Sequence, residues 1–213
     1  DQWQAAIQYW STLTSDTDAI FDKLVVIDCS KLSPHITWGT SPDQVISVTQ
    51  TIPLLDEATS RVQKQAWQDA LEYMGLQSGQ PIVGTSIQRV FIGSCTNSRL
   101  NDLRLAAAVI KGRRVANHVT AWVVPGSMQV KQQAESEGLD EIFKSAGFEW
   151  REPGCSLCVG ANGELVAPGD RCVSTSNRNF TGRQGPGART HLASPEMAAA
   201  AALAGEIVDH RNF

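Results

Sequence analysis

Three cysteines carry the clearest chemical signal in this sequence. Cys155 and Cys158 form a Cys-x-x-Cys pair inside a glycine-rich stretch, residues 153–163, whose small side chains predict a loop that does not pack into a core. Thiolates at this spacing are typical of metal ligands. Cys95 directly follows an apolar run that predicts a buried strand. The three thiols therefore raise the question of which metal, if any, they bind.

Three chemistries fit these residues, and the spacing alone leaves all of them open. A redox pair normally opens a helix, whereas a proline precedes this pair and glycines follow it. A structural zinc ion needs four ligands, so His35 or His191 has to join the three thiols. An iron–sulfur cubane normally takes four thiolates. With three, one iron keeps an open position and acts as a Lewis acid on a bound substrate.

Two arginines and two further cysteines complete the set of candidate residues. Arg178 and Arg183 lie in a polar, glycine-flanked segment. A guanidinium pairs with a carboxylate through two parallel hydrogen bonds, so the two together suit a dicarboxylate. The alternative is that both are surface arginines. Cys29 and Cys172 adjoin apolar runs and are predicted to be buried thiols, since free cysteine packs as a small hydrophobe.

Strand and helix patterns alternate along the chain and predict an α/β fold, a mainly parallel sheet flanked by helices. Sites in such sheets collect beyond the carboxyl ends of the strands, so the three thiols are expected on one rim. The predicted strands are residues 23–27, 89–93, 118–124, 148–150 and 171–175. The predicted helices are residues 2–10, 56–75, 101–111, 128–137, 139–146 and 197–204. Residues 31–43, with two prolines, predict a structured loop.

Composition restricts the class of protein. The sequence is 42% hydrophobic and 19% charged, which is ordinary for a globular domain. A net charge of −4 argues against nucleic acid as a partner. No apolar run is long enough for a membrane span, so no membrane partner is expected. Five cysteines, an odd number, without a visible secretory signal indicate a reducing compartment, and we expect a cytoplasmic protein.

Three separated segments resemble the signatures of the aconitase superfamily. They are residues 91–98 (Phe-Ile-Gly-Ser-Cys-Thr-Asn-Ser), 154–158 (Gly-Cys-Ser-Leu-Cys) and 176–183 (Ser-Asn-Arg-Asn-Phe-Thr-Gly-Arg). Within that superfamily, three shorter segments are similar to the large-subunit family of 3-isopropylmalate dehydratases, also called isopropylmalate isomerases. They are residues 37–42 (Thr-Trp-Gly-Thr-Ser-Pro), residues 182–187 (Gly-Arg-Gln-Gly-Pro-Gly) and residues 190–192 (Thr-His-Leu). The resemblance covers nearly the whole chain.

The resemblance implies a fold like the third, cluster-bearing domain of aconitase. It implies that Cys95, Cys155 and Cys158 bind three irons of a [4Fe–4S] cluster whose fourth iron is open to substrate. Arg178 and Arg183 match the family's substrate-carboxylate arginines, and Asn177 is expected near the cluster as a third substrate-binding residue. The implied reaction is the interconversion of 2-isopropylmalate and 3-isopropylmalate in leucine biosynthesis.

The alternatives within the superfamily are homoaconitase, citramalate isomerase and aconitase itself. An alternative outside enzymology is a cluster-binding module without catalysis.

The sequence departs from the family in two places. A Gly-Asp-Ser-His-Thr segment and a Gly-Ser-Ser-Arg motif, which carry the family's acid–base residues, are absent. We therefore expect a C-terminal half of a large subunit, with residues 1–20 a helical remnant of a preceding domain and residues 21–213 the cluster domain. No catalytic acid or base is assigned to this chain.

The resemblance implies a partner, a small subunit that carries a swivelling domain. The chain alone is expected to be inactive, to lose its cluster in air, and to leave thiols that are free to form a disulfide.

Overall fold

A computed structural model describes residues 2–161 and 163–213. The chain divides into two compact units, residues 1–32 and 33–213. The expected helical remnant over residues 1–20 and cluster domain over residues 21–213 stay a prediction. Among the described residues, the helices are too short or too polar to traverse a bilayer.

The first unit contains one helix and a long irregular segment. Helix α1 is Gln2–Trp10, as predicted. The predicted strand over residues 23–27 is wrong: the segment is irregular, and Leu24 and Val26 are 83% and 84% exposed. A strand needs a neighbour for its backbone groups, and among the described residues no strand pairs with this segment. Cys29 begins a short 3₁₀ turn and is exposed, so its prediction as a buried thiol is also wrong.

The second unit is built on a five-stranded sheet in the order β5-β4-β3-β6-β7, and every neighbouring pair is parallel. This confirms the predicted α/β class. Its strands are β3 (Arg89–Ile92), β4 (Thr120–Val123), β5 (Glu149–Trp150), β6 (Arg171–Ser174) and β7 (Arg189–Leu192). Since all five run the same way, their carboxyl ends share one edge of the sheet.

The two faces of this sheet are covered differently. Val90 aligns with Ala121 and Val173, and these side chains belong to the large core beneath the helices. Phe91 aligns with Trp122 on the opposite face, in a smaller core that includes Leu157 and Cys172. Cys172 is fully buried, as predicted. The cysteine-bearing loop after β5 thus covers part of the second face.

The helices of the second unit follow the predicted pattern. They are α2 (Arg61–Met74), α3 (Leu100–Ile110), α4 (Met128–Ser136), α5 (Leu139–Ala146) and α6 (Pro195–Ala204). Serine hydroxyls cap the first turns of α2, α4 and α6, and Gly75 ends α2 in the left-handed conformation. Helices α3 and α6 pack on each other, and α6 packs on β3.

Three short strands were not predicted. Strands β1 (His35–Thr37) and β2 (Val45–Ser47) pair antiparallel within and beside the segment predicted as a loop. Strand β7 contains Arg189, Thr190 and His191, which give no apolar run to recognise. Thr190 and His191 are nevertheless buried, because neighbouring polar groups satisfy their side chains.

Candidate metal centre

The three candidate thiols line one cavity at the carboxyl edge of the sheet. Cys95 lies in the loop after β3, and Cys155 and Cys158 lie in the loop after β5. Together with Ser94, Gly126 and Gly154 they surround a cavity of about 200 Å³. Cys95 and Cys155 are exposed, and Cys158 is half-buried. The structure therefore places the three thiols together on one rim.

The Cys95 loop is fixed by hydrogen bonds from the end of β6. The Gly93 N–H donates to the Thr175 hydroxyl at 2.9 Å, and that hydroxyl donates to the Gly93 carbonyl at 2.7 Å. Ser94 then has a φ of +94°, an unusual value for a residue other than glycine. The turn at Ser94 redirects the chain, and Cys95 follows it at the cavity.

Gly126, in the loop after β4, fits closely against the Cys95 loop. Its N–H donates to the Ser98 carbonyl at 2.9 Å. A Cβ on Gly126 would lie 2.9 Å from that same carbonyl oxygen and 3.4 Å from the Cys95 carbonyl oxygen. The absence of a side chain at Gly126 is what allows the two loops to approach.

The Cys-x-x-Cys loop is anchored by Leu157, the second of the two residues between the cysteines. Ser156–Cys158 form a 3₁₀ turn, in which the Cys158 N–H donates to the Cys155 carbonyl at 2.9 Å. Leu157 is fully buried in the smaller core with Phe91 and Trp122. The expectation that this loop does not pack into a core is wrong, because the turn directs Leu157 inward while the two thiols remain accessible.

Asn177 joins the residues that flank Cys95. Its side-chain Nδ2 donates to the Thr96 hydroxyl at 2.8 Å and to the Ser94 hydroxyl at 3.2 Å. Its Oδ1 accepts from Asn97 Nδ2 at 2.6 Å, and the same Asn97 group donates to the Thr175 carbonyl. Asn177 and Cys95 also line one shallow surface depression.

The two candidate arginines have different surroundings. Arg183 is half-buried, its Nε donates to the Cys158 carbonyl at 2.8 Å, and its guanidinium lies 5.3 Å from the centre of the Phe180 ring. Arg178 is exposed and has no hydrogen bond or ion pair with any described residue. One arginine is thus held against a cysteine loop, and the other is available to a ligand.

His191 cannot complete a zinc site with the three thiols. It is fully buried, its Nδ1 donates to the Thr37 carbonyl at 2.6 Å, and its Nε2 accepts from Arg171 at 2.8 Å. Burial, aided by Arg171, lowers the pKa of His191 to about 3, so the ring is neutral. The other candidate, His35, forms a hydrogen bond between its Nδ1 and the Ser33 carbonyl.

The candidate donors at this cavity are three thiols. In residues 2–161 and 163–213, no three His, Cys, Asp or Glu side chains converge on a position for one metal ion. The thiols instead surround a cavity, and a cubane takes one thiolate per iron. Thiolates bind zinc as well as iron–sulfur clusters, so the ligand type by itself does not distinguish the two.

Several residues that shape the site were missed from the sequence. The loops are held by four residues whose types do not signal metal chemistry: Thr175, Gly126, Leu157 and Asn97. The positions of Asn97 and Leu157 inside the cysteine-containing segments are the only sequence signal that points to them.

Comparison with known proteins gives a consistent result over the whole chain. A family model described as the aconitase family (aconitate hydratase) matches residues 1–205. The 3-isopropylmalate dehydratase large subunit of Psychrobacter arcticus is 59% identical over all 213 residues, and that of Psychrobacter cryohalolentis is 58% identical. The 3-isopropylmalate dehydratase large subunit 1 of Bradyrhizobium diazoefficiens is 60% identical. The chain spans 45% of the length of each of these relatives.

Proposed function

The chain belongs to the aconitase family, and from this premise we propose that it is the cluster-bearing part of a hydro-lyase large subunit. The proposed reaction is the interconversion of 2-isopropylmalate and 3-isopropylmalate in leucine biosynthesis, in the cytoplasm. Identity of 58–60% to three large subunits of that name, over the full length of the chain, supports this choice of substrate over those of other family members.

The observation that carries the proposal is the cavity lined by three thiols. Cys95, Cys155 and Cys158 would each hold one iron of the family's [4Fe–4S] cluster. When bound, the cluster supplies an open iron that acts as a Lewis acid on a substrate hydroxyl. The loops after β3 and β5 set the separation of the thiols, and Leu157 and Thr175 hold those loops in place.

Arg183 and Arg178 are proposed to bind the carboxylates of a dicarboxylate substrate. Arg183 uses Nε for the Cys158 carbonyl, which leaves its two terminal nitrogens to face a ligand. This hydrogen bond ties the carboxylate-binding group directly to a cysteine loop. Arg178 offers a whole guanidinium, and a bidentate pair formed there gives orientation as well as charge neutralisation.

Asn177 is proposed to act next to the cluster through the Cys95 loop. Its amide nitrogen and oxygen already bond Thr96, Ser94 and Asn97. A side chain with these bonds orients the loop and leaves little capacity for direct substrate contact.

The proposal includes a partner. Among the described residues, the cavity is lined by Ser94, Gly126 and Gly154 besides the cysteines, and none of these three is a histidine or carboxylate. The acid–base residues of the reaction are therefore proposed to come from the remainder of a large subunit and from a small subunit that carries a swivelling domain.

The proposal is tested in a chimera. The matching 45% of the Psychrobacter arcticus large subunit is replaced by this chain, and the chimera is paired with that organism's small subunit. After anaerobic reconstitution with iron and sulfide, dehydration of 2-isopropylmalate is expected.

Serine substitution of Cys95, Cys155 or Cys158 should abolish activity and lower the iron content, while Cys29→Ser, at an exposed position in the other unit, should change neither. A chimera that holds a full cluster and shows no dehydration would leave the non-catalytic module as the better reading. Dehydration of citrate or citramalate in preference to isopropylmalate would reassign the substrate.

A further inference from the structure

We propose that Asn179 is a positioning residue that sets where Arg178 presents its guanidinium to the substrate carboxylate. This inference rests on the proposed function for the role of Arg178. It rests on geometry for the role of Asn179, which is 2% exposed and lies beside Arg178 in the chain.

Asn179 is tied to the β1 strand and to the turn that follows it. Its Nδ2 donates to the Gly39 carbonyl at 2.7 Å and to the Thr37 hydroxyl at 3.2 Å, with the Thr190 carbonyl at 3.5 Å. All three groups accept hydrogen bonds, so the amide nitrogen of Asn179, and not its oxygen, faces them. The opposite end, Oδ1, is buried without a hydrogen-bond partner among the described residues. The anchoring is therefore through one nitrogen alone.

The position to which Asn179 is anchored is itself rigid. The Thr37 hydroxyl accepts from the Leu192 N–H at 2.7 Å, and the Thr37 carbonyl accepts from His191 at 2.6 Å. His191 is in turn held by Arg171, whose second terminal nitrogen donates to the Met74 carbonyl at 2.8 Å. A chain of buried hydrogen bonds thus leads from the sheet to Asn179.

The segment on either side of Arg178 is held at both neighbours. Asn177 bonds the residues around Cys95, and Asn179 bonds β1 and its turn. Farther along, Gln184 is fully buried and bridges Ser174 to Thr190. Arg178, between the two anchored amides, is exposed like Asn177 but has no hydrogen bond or ion pair with any described residue. Fixing its two neighbours fixes the Cα position and direction from which the guanidinium reaches a ligand.

The consequence is a specific kinetic phenotype. Loss of the Asn179 anchor lets the Arg178 segment shift, and a displacement of about 1 Å at a binding group can cost on the order of 10²-fold in efficiency. In the chimera, Asn179→Ala is expected to raise KM for 2-isopropylmalate by about 10-fold or more, with a smaller change in kcat. A purely structural defect would instead lower the cluster-loaded fraction and leave KM unchanged.

A variant pair separates anchoring from folding. Thr37→Val removes one acceptor of Asn179 and should raise KM, while Thr37→Ser keeps the hydroxyl and should preserve KM. Gln88→Ala is the matched control, since its side chain accepts only from the backbone N–H of Arg171 at the opposite end of the sheet, and its loss leaves the bonds of the Arg171 guanidinium to His191 and Met74 in place. Gln88→Ala should lower the melting temperature without raising KM. If Asn179→Ala and Gln88→Ala leave the same KM, the positioning role is overturned.

A second measurement is independent of activity. Hydrogen–deuterium exchange in residues 176–183 of this chain should accelerate in Asn179→Ala and not in Gln88→Ala. Unchanged exchange there contradicts the anchoring, whatever the chimera does. Accelerated exchange in a chimera that shows no dehydration supports the anchoring and counts against the proposed function alone.

Discussion

The rim that carries the three thiols has a polar half and an apolar half, and they are held by different forces. The polar half comprises residues 93–98, 174–184 and 190–192, where Thr175 and Asn177 fix the Cys95 loop by hydrogen bonds. The apolar half, residues 153–166 apart from the undescribed residue 162, is fixed mainly by burial of Leu157 and Val166, although Arg183 donates to the Cys158 carbonyl and the Val166 N–H donates to the Gln184 carbonyl. Hydrogen bonds give direction, whereas apolar burial gives free energy with little directional demand. The two halves should therefore fail under different conditions.

The largest effect is expected at the apolar half. Leu157→Ala removes a fully buried side chain and should lower the free energy of unfolding by about 2–5 kcal/mol. Urea unfolding of the cluster-free chain under reductant measures this loss. Leu165→Ala, at a position 44% exposed, is the control and should cost far less. Alkylation of the folded variant, resolved by peptide mass spectrometry, should accelerate at Cys155 and Cys158 more than at Cys95. Equal acceleration at all three thiols would show that the two halves are one unit.

Acid should act on the polar half through His191. The folded-state pKa of His191, lowered to about 3 by burial, lies below its usual value of 6.5. Between these values the unfolded chain binds a proton that the folded chain does not, so stability is lost as pH falls below 6.5, by about 1.4 kcal/mol per pH unit. Above pH 6.5 this contribution is constant.

Unfolding free energies at pH 7, 6, 5 and 4.5 check this sign. His191→Asn keeps a donor near the Thr37 carbonyl and removes the titrating ring, so its stability should depend less on pH. His35→Asn, at an exposed position, should retain the slope of the unsubstituted chain. A slope that is unchanged in His191→Asn would rule out His191 as its source.

The smallest effect is expected at Thr175. Thr175→Val keeps the shape of the side chain and removes both hydrogen bonds to Gly93, at a cost of about 1–3 kcal/mol. Alkylation should accelerate at Cys95 and stay constant at Cys155 and Cys158, the reverse of the Leu157→Ala pattern. Thr175→Ser should restore the slow rate, and Thr181→Val, at an exposed position, should have none of these effects. Faster alkylation at Cys158 in Thr175→Val would contradict separate anchoring.

The sheet was predictable because its central strands are short apolar runs between glycine and polar turns. Residues 89–93 and 171–175 were predicted within one or two residues of β3 and β6. Their parallel order then placed the thiols on one edge without further information. The segment 23–27 has a similar apolar pattern and forms no strand, since periodicity does not reveal whether a neighbour exists to pair with it.

The details of the rim were not predictable because they depend on contacts between distant residues. His191 and Thr37, 154 positions apart, meet through one hydrogen bond, and Thr175 bonds Gly93 across 82 positions. No local pattern distinguishes a threonine that caps a strand from one that holds a cysteine loop. Leu157 shows the converse case: one apolar residue in a glycine-rich segment is too little for periodicity to assign it to a core.

The 82 positions between Gly93 and Thr175 also set an order of events during synthesis. A ribosome adds about 5–20 residues per second, so Cys95 emerges roughly 4–16 s before the hydroxyl that fixes its loop. During that interval Cys95 is part of an unfinished sheet, with no defined geometry toward Cys155 and Cys158. If the thiols hold the proposed cluster, a nascent chain offers it no template, and iron delivery should follow completion of β6 and β7.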